Sequence, residues 1–266
     1  MSFAWYGIHL RVQDDWAPVA VSGDRTRGYV RLGSTTAYQV QMRWEVVRRA
    51  PDLEQVIARY LDGHGKDARR KKIEFERDVH ALDDCRTSYR YQGVSSGRGV
   101  AQYHPGRKLV IWSEVVGQAG DSLVSAAQRH LGIRDIDDGD TWSWRVLGLD
   151  CRIPREFELT KRRFVAGRTG LDFRLGPCDL SVDRWGMAAS LMAKQPVEEW
   201  ARAVLAAPRA SVTAHDHGLE LNESRWFGFQ WMTAMVTADA ERNQLTTLQL
   251  RGSGKRTEAS WDWLIR

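Results

Sequence analysis

Trp5-Tyr6-Gly7-Ile8-His9-Leu10-Arg11-Val12 runs into Gln13-Asp14-Asp15-Trp16, and Val146-Leu147-Gly148-Leu149-Asp150-Cys151-Arg152-Ile153 runs into Pro154-Arg155-Glu156-Phe157. At a constant offset of 141 residues Gly7 falls on Gly148, Ile8 on Leu149, Leu10 on Cys151, Val12 on Ile153 and Trp16 on Phe157. Both segments alternate apolar and polar side chains, the period of a half-buried strand, and both close on an aromatic residue. Self-similarity at a near-fixed offset is the signature of a repeated structural unit.

The likeness extends outward from these strands. Tyr29-Val30-Arg31-Leu32-Gly33 parallels Asp172-Phe173-Arg174-Leu175-Gly176 at an offset of 143, and Arg43-Trp44 meets Arg184-Trp185 at 141. The segment Leu53 to Leu61 parallels Val197 to Leu205 at 144, and such drift is what loop insertions produce. Tyr38, Val40 and Met42 alternate as a further strand, with turns at Ser22-Gly23-Asp24 and Gly33-Ser34. Pro51-Asp52 then opens a helix whose apolar face is Leu53, Val56, Ile57, Tyr60 and Leu61, with Gly63 as its stop, and Pro196 to Leu205 repeats it.

Each copy returns to strands after its helix. They are Ser88 to Tyr91, Val100 to Tyr103 and Leu109 to Val116 in the first, and Gly218 to Leu221, Trp226 to Val236 and Leu245 to Leu250 in the second. A short helix from Leu123 to Leu131 closes the first copy only. The expected fold class is α+β: two repeated units, residues 1–135 and 142–266, each an antiparallel sheet with flanking helices, packed as a pseudo-twofold pair. Residues 136–141 are expected to link them, because the aspartates of Asp135-Ile136-Asp137-Asp138-Gly139-Asp140 would repel one another inside a packed element. That stretch lacks the later Glu of an EF-hand calcium loop.

Composition narrows the functional classes. At 266 residues, 42% hydrophobic and with twelve tryptophans, the chain has ample apolar area for packed cores. The opening Met1-Ser2-Phe3-Ala4-Trp5 lacks a basic stretch followed by an apolar run, and no window comes near the roughly 18 apolar residues that span a bilayer. Cys85, Cys151 and Cys178 are an odd number without metal-like spacing, which points to reduced thiols. A cytoplasmic protein without membrane contact is therefore expected.

The order of a Gly-plus-alternating strand, an aromatic-ended turn, a meander, a helix and a second meander, carried by Gly7 to Trp16 and Gly148 to Phe157, resembles the PsbP-like family. That resemblance implies α/β/α sandwiches, a group that includes photosystem extrinsic proteins and small-GTPase-binding relatives. Its members act mostly as accessory or binding proteins, and the likeness transfers no site.

No motif names an activity. His215-Asp216-His217 would place two rings on one side of a strand, but no third ligand lies near in sequence, so no metal site is expected. No GxSxG elbow is present, and Asp83-Asp84 disfavour a thiolate at Cys85, so no catalytic residue is assigned. Gly93-Val94-Ser95-Ser96-Gly97-Arg98-Gly99 lacks the GK[ST] ending of a phosphate loop and reads as a hairpin loop; no cofactor is expected.

A net charge of +5 admits an acidic partner. The candidate partner-binding residues are Arg48, Arg49, Lys66, Arg69, Arg70, Lys71 and Lys72, with Lys161, Arg162 and Arg163 in the second copy. The leading expectation is a non-catalytic binding or assembly subunit that meets a protein partner through a basic, tryptophan-rich surface. A nucleic-acid-binding protein using the basic loop is the first alternative, and an enzyme with its site in the cleft between repeats is the second.

Overall fold

The computed structural model describes residues 2–12, 16–33, 38–131, 133–225 and 229–254. The chain divides into two compact units, Met1–Val146 and Leu147–Arg266. Among the described residues no helix is long and apolar enough to cross a membrane.

In the first unit β1 (Ser2–Trp5) and β2 (Ile8–Arg11) form a hairpin, followed by β3 (Ala17–Gly23), β4 (Arg27–Gly33) and β5 (Gln39–Val46). Helix α1 (Leu53–Arg70) leads to β6 (Glu76–Asp83), β7 (Arg86–Gln92), β8 (Ser95–His104) and β9 (Leu109–Gln118). Helix α2 (Val124–His130), β10 (Ile133–Ile136) and β11 (Thr141–Val146) complete the unit. Its large sheet is antiparallel in the order β3-β4-β5-β9-β8-β7-β6, and a smaller sheet runs β10-β2-β1-β11.

The second unit opens on β12 (Leu149–Pro154) and continues through β13 (Glu158–Val165), β14 (Arg168–Leu175) and β15 (Cys178–Gly186). Helices α3 (Ala188–Met192) and α4 (Val197–Val204) precede β16 (Ser211–His215), β17 (Gly218–Arg225), β18 (Gln230–Asp239) and β19 (Gln244–Ser253). Its sheet is ordered β13-β14-β15-β19-β18-β17-β16, the same path as in the first unit. The helical excursion falls after the third strand of the meander in both.

The expected α+β class is corrected here. Strands take 57% of the structure and helices 17%, in three antiparallel sheets with few helices. The physical reason lies at the sheet margins. Glu76–Asp83, Glu158–Val165 and Ser211–His215 are charged or polar and largely exposed, so they lack the alternation of a half-buried strand; all three are edge strands. Charged edges of this kind discourage pairing with another chain. The stretch Gly97-Arg98-Gly99, expected in a hairpin loop, likewise lies inside β8.

Helix α1 begins where the sequence places it, with the Asp52 carboxylate accepting the Gln55 N–H at 3.0 Å. It does not stop at Gly63. Leu61, Gly65 and Ala68 continue the buried stripe of Leu53 and Ile57, and a Cβ on Gly65 would lie 3.2 Å from the Phe75 ring. The basic final turn suits the negative end of the helix dipole. Leu53, Ile57 and Leu61 pack on Tyr89, Tyr91, Ala101 and Val110, so α1 covers one face of the sheet over β6 to β8.

The opposite face receives the β1–β2 turn. Tyr6 and Gly7 take φ of 52° and 70°, and Leu147 and Gly148 take 49° and 79°, the paired left-handed conformation of a tight two-residue hairpin. For a bulky residue this is strained, and Tyr6 is held there by Trp44, Trp142 and Trp144 at ring distances of 5.7, 5.4 and 4.6 Å. In the second unit the side chain under the turn is Arg184, whose Nε would lie 2.8 Å from a Cβ on Gly148. Trp185 points the other way, to Trp200 of α4 at 5.4 Å. The Arg43-Trp44 and Arg184-Trp185 pairs are therefore out of phase by one residue, which on a strand reverses the face.

Asp135, Asp138 and Asp140 are exposed, whereas Asp137 turns inward to His9 Nε2 at 3.1 Å and accepts the Ser143 N–H. Burial alone would raise its pKa, but the bonds from His9 and Ser143 prevail and bring it down to about 2. Its contribution is thus present above about pH 4 and lost as pH falls toward 2. Asp137→Ala is expected to cost roughly 2 kcal/mol at pH 7 and far less at pH 2.5, measured by urea unfolding.

Candidate functional site

Helix α1 leaves part of its own face of the sheet uncovered, beside β4, β5 and β9. One cross-strand row there reads Tyr89, Gly99, Glu114, Gln41, Arg31, each paired with the next in register. Gly99 has no side chain, so the Tyr89 ring lies across it toward Glu114, and Tyr91 does the same over Gly97. A Cβ on either glycine would collide with the ring above it.

Glu114 is only 3% exposed. Its Oε2 accepts the Tyr60 hydroxyl at 2.8 Å, while Oε1 has no hydrogen-bond partner. Burial pushes its pKa up to about 7, against the lowering influence of the Tyr60 hydroxyl, the Arg43 charge and the Tyr91 and Tyr89 hydroxyls. Burial and then the Glu114 charge raise Tyr60, Tyr89 and Tyr91, so all three stay protonated donors. His64 stacks on Tyr91 at 4.4 Å and meets the Tyr60 edge at 4.9 Å; burial, then Arg43, lowers its pKa and keeps the ring neutral.

In front of Glu114 is a cavity of about 450 Å³, walled by Tyr29, Tyr60, Trp112 and Gln41, with Arg27, Arg43 and Glu45 among its lining residues. The Arg43 guanidinium sits 5.1 Å from the Tyr60 ring centroid. The volume falls in the range of small-ligand sites, roughly 300–1,000 Å³.

The corresponding position of the second unit is built differently. Arg163 forms a two-bonded pair with Asp172 and reaches Asp183 at 3.2 Å; Arg168 reaches Asp183 at 2.9 Å and lies 4.1 Å over the Trp185 ring. Gln249 donates to the Leu205 carbonyl at 2.9 Å. The hydrogen bonds that Arg163 donates to Asp172 lead the influences that hold it firmly protonated. These charges pair with one another, with Arg163 Nε alone in the cluster left without a hydrogen bond. Arg163→Ala is expected to cost about 3 kcal/mol in urea unfolding, because Asp172 and Asp183 lose a shared cation.

The basic residues do not form one patch. Arg48 and Arg49 follow β5 near the start of α1, whereas Lys66, Arg69 and Arg70 lie in its last turns with Lys71 and Lys72 just beyond; all seven are exposed. A rise of about 1.5 Å per residue over the 18-residue helix separates the two groups by roughly 25 Å. Lys161, Arg162 and Arg163 lie on edge strand β13, with Arg163 turned to its aspartates. Every tryptophan among the described residues is buried or half-buried, and Trp226, Trp261 and Trp263 lie outside them.

His215 pairs with Glu220 at 3.1 Å, and among the described residues no group of three or more His, Cys, Asp or Glu is placed to hold a metal ion. Burial pushes the Cys151 thiol well up. The residues that sequence reasoning missed are Glu114, Tyr60, Tyr89 and Tyr91. One signal was present: a lone acid inside the apolar run Leu109-Val110-Ile111-Trp112-Ser113-Glu114-Val115-Val116. No protein-family model, curated protein or solved structure matches the chain.

Proposed function

We propose that the chain is a non-catalytic binding protein whose ligand occupies the Glu114 cavity of the first unit. The observation that carries this reading is Glu114, a carboxyl 3% exposed among the residues that line the cavity, its Oε2 on the Tyr60 hydroxyl and its Oε1 without a hydrogen bond although the Tyr89 and Tyr91 hydroxyls stand beside it. A buried acceptor left unmade is costly, and a bound donor removes the cost. The contrast with Asp183, which meets two arginines in the second unit, supports the same conclusion. The shared strand path of the two sheets and their matching positive-φ turns support descent from one duplicated unit, with one copy keeping a site and the other a charge cluster.

The test is a ligand-observed NMR screen of polar fragments on the full chain, repeated with Trp112→Ala. Fragments whose signal is lost in the variant support the reading; hits indifferent to Trp112 overturn it.

A second reading makes Glu114 a general acid–base group, because a carboxyl that titrates near neutrality in a cavity is suited to proton transfer. A bound compound recovered chemically unchanged after long incubation favours binding; its conversion, abolished by Glu114→Gln, favours the enzyme.

A further inference from the structure

Beside the row that holds Glu114, the uncovered part of the first sheet carries a second one. Tyr29, Arg43 and Trp112 stand directly opposite one another on β4, β5 and β9, so ring, guanidinium and ring follow at intervals of about 5 Å. Tyr29 is 38% exposed, Arg43 is exposed and Trp112 is half-buried. Arg27 and Arg31 flank Tyr29 at alternate positions of β4, so they share its face, each roughly 7 Å along the strand. The acids of these three strands on that face are Glu45, opposite Arg27, and the buried Glu114.

A face both cationic and aromatic selects among ligands. An acidic peptide would answer the arginines and leave the rings to water. A single-stranded nucleic acid answers both, because every phosphate comes with a base whose flat π-face can stack on an aromatic ring. A duplex keeps those faces stacked inside itself. Solvated guanidiniums suit this contact, since phosphates pair with them and release counterions. The cations also continue beyond the cavity, to exposed Arg48 and Arg49 just past β5, which suits a polymer better than a single nucleotide. The helix-facing side of the second sheet differs, since its Arg163 and Arg168 are held by Asp172 and Asp183.

We propose that this face binds single-stranded nucleic acid, with bases stacked on Trp112 and Tyr29 and the flanking phosphates paired with Arg27, Arg31 and Arg43. The inference rests on the binding reading above and names its ligand class.

The experiment is fluorescence anisotropy of the full chain with labelled DNA and RNA single strands of about twelve nucleotides, with the same sequences as duplexes and with mononucleotides as competitors. Single strands are expected to bind, duplexes and mononucleotides about tenfold or more weakly. Tyr29→Ala and Trp112→Ala should each weaken the single strand by about tenfold. Arg43→Gln should reduce the slope of log affinity against log salt by about 0.7, whereas Arg70→Gln, at the exposed end of α1, leaves affinity and slope unchanged. Trp112 packs against the core under α1, so exposed Tyr29 supplies the variant least able to disturb the fold, and a cooperative unfolding curve for each variant separates lost binding from lost structure. Duplexes or mononucleotides that bind as tightly as the strand, or binding that follows Arg70 and ignores both rings, overturn the proposal. If no strand binds while fragments still depend on Trp112, the ligand class is wrong and the site stands; if neither binds, both fall.

Discussion

Gly99→Val is expected to destabilise the first unit by roughly 3 kcal/mol, a fall in melting temperature of about 6–12 °C. The sign is informative because local preference points the other way: valine suits a strand far better than glycine, and propensity alone would favour the variant by up to about 1 kcal/mol. Packing decides the outcome. Tyr89 is 4% exposed and its ring lies directly over Gly99, so a side chain there must lift the ring off the sheet. Lifting it withdraws one of the hydroxyls beside Glu114 and opens the core that α1 covers. Adding Tyr89→Ala to Gly99→Val gives the new side chain the vacated bed. The double variant should therefore lose less than the sum of the single losses, by more than about 1 kcal/mol in urea unfolding. Strict additivity would mean that ring and glycine are energetically independent.

The interior strands were legible because one face is buried and the other is not. Val40, Met42 and Trp44 alternate with Gln41, Arg43 and Glu45, and such a pattern reads directly as a strand. Edge strands carry no such pattern: β6 has no fully buried residue, and its acids and bases look like a solvated loop. That is why the helices seemed to take a larger share of the fold than they do. The end of α1 was misread for a related reason, since Gly65 is small where Phe75 approaches, a contact visible only once the chain is folded. The site needs more still. Tyr89, Gly99 and Glu114 lie on successive hairpin strands, so their row follows from local register, but Gln41 and Arg43 arrive through the β5–β9 pairing, some seventy residues away in sequence. Alternation says which side chains share a face; it does not say which strand lies beside which.

Wild-type protein is expected to lose stability relative to Glu114→Gln as pH rises from 4.5 to 8, by roughly 3 kcal/mol. The sign follows from burial. Glu114 titrates at about 7 in the folded chain, against 4.5 for an ordinary glutamate. Below 4.5 both states hold the proton and the group is neutral in its effect on folding. Between 4.5 and 7 the unfolded chain gives up its proton while the folded chain keeps it, so folding becomes progressively less favourable. Above 7 the folded chain carries an ionised carboxylate with one oxygen unpaired, and the full penalty applies. Glutamine has nearly the same shape, keeps an acceptor for Tyr60 and does not titrate, so the difference between the two unfolding free energies isolates this one group from every other carboxylate. Urea unfolding of both proteins at pH 5 and pH 8 measures it. A difference that does not change with pH would place the ionised carboxylate in water, and with it would go the reason for a ligand to seek it.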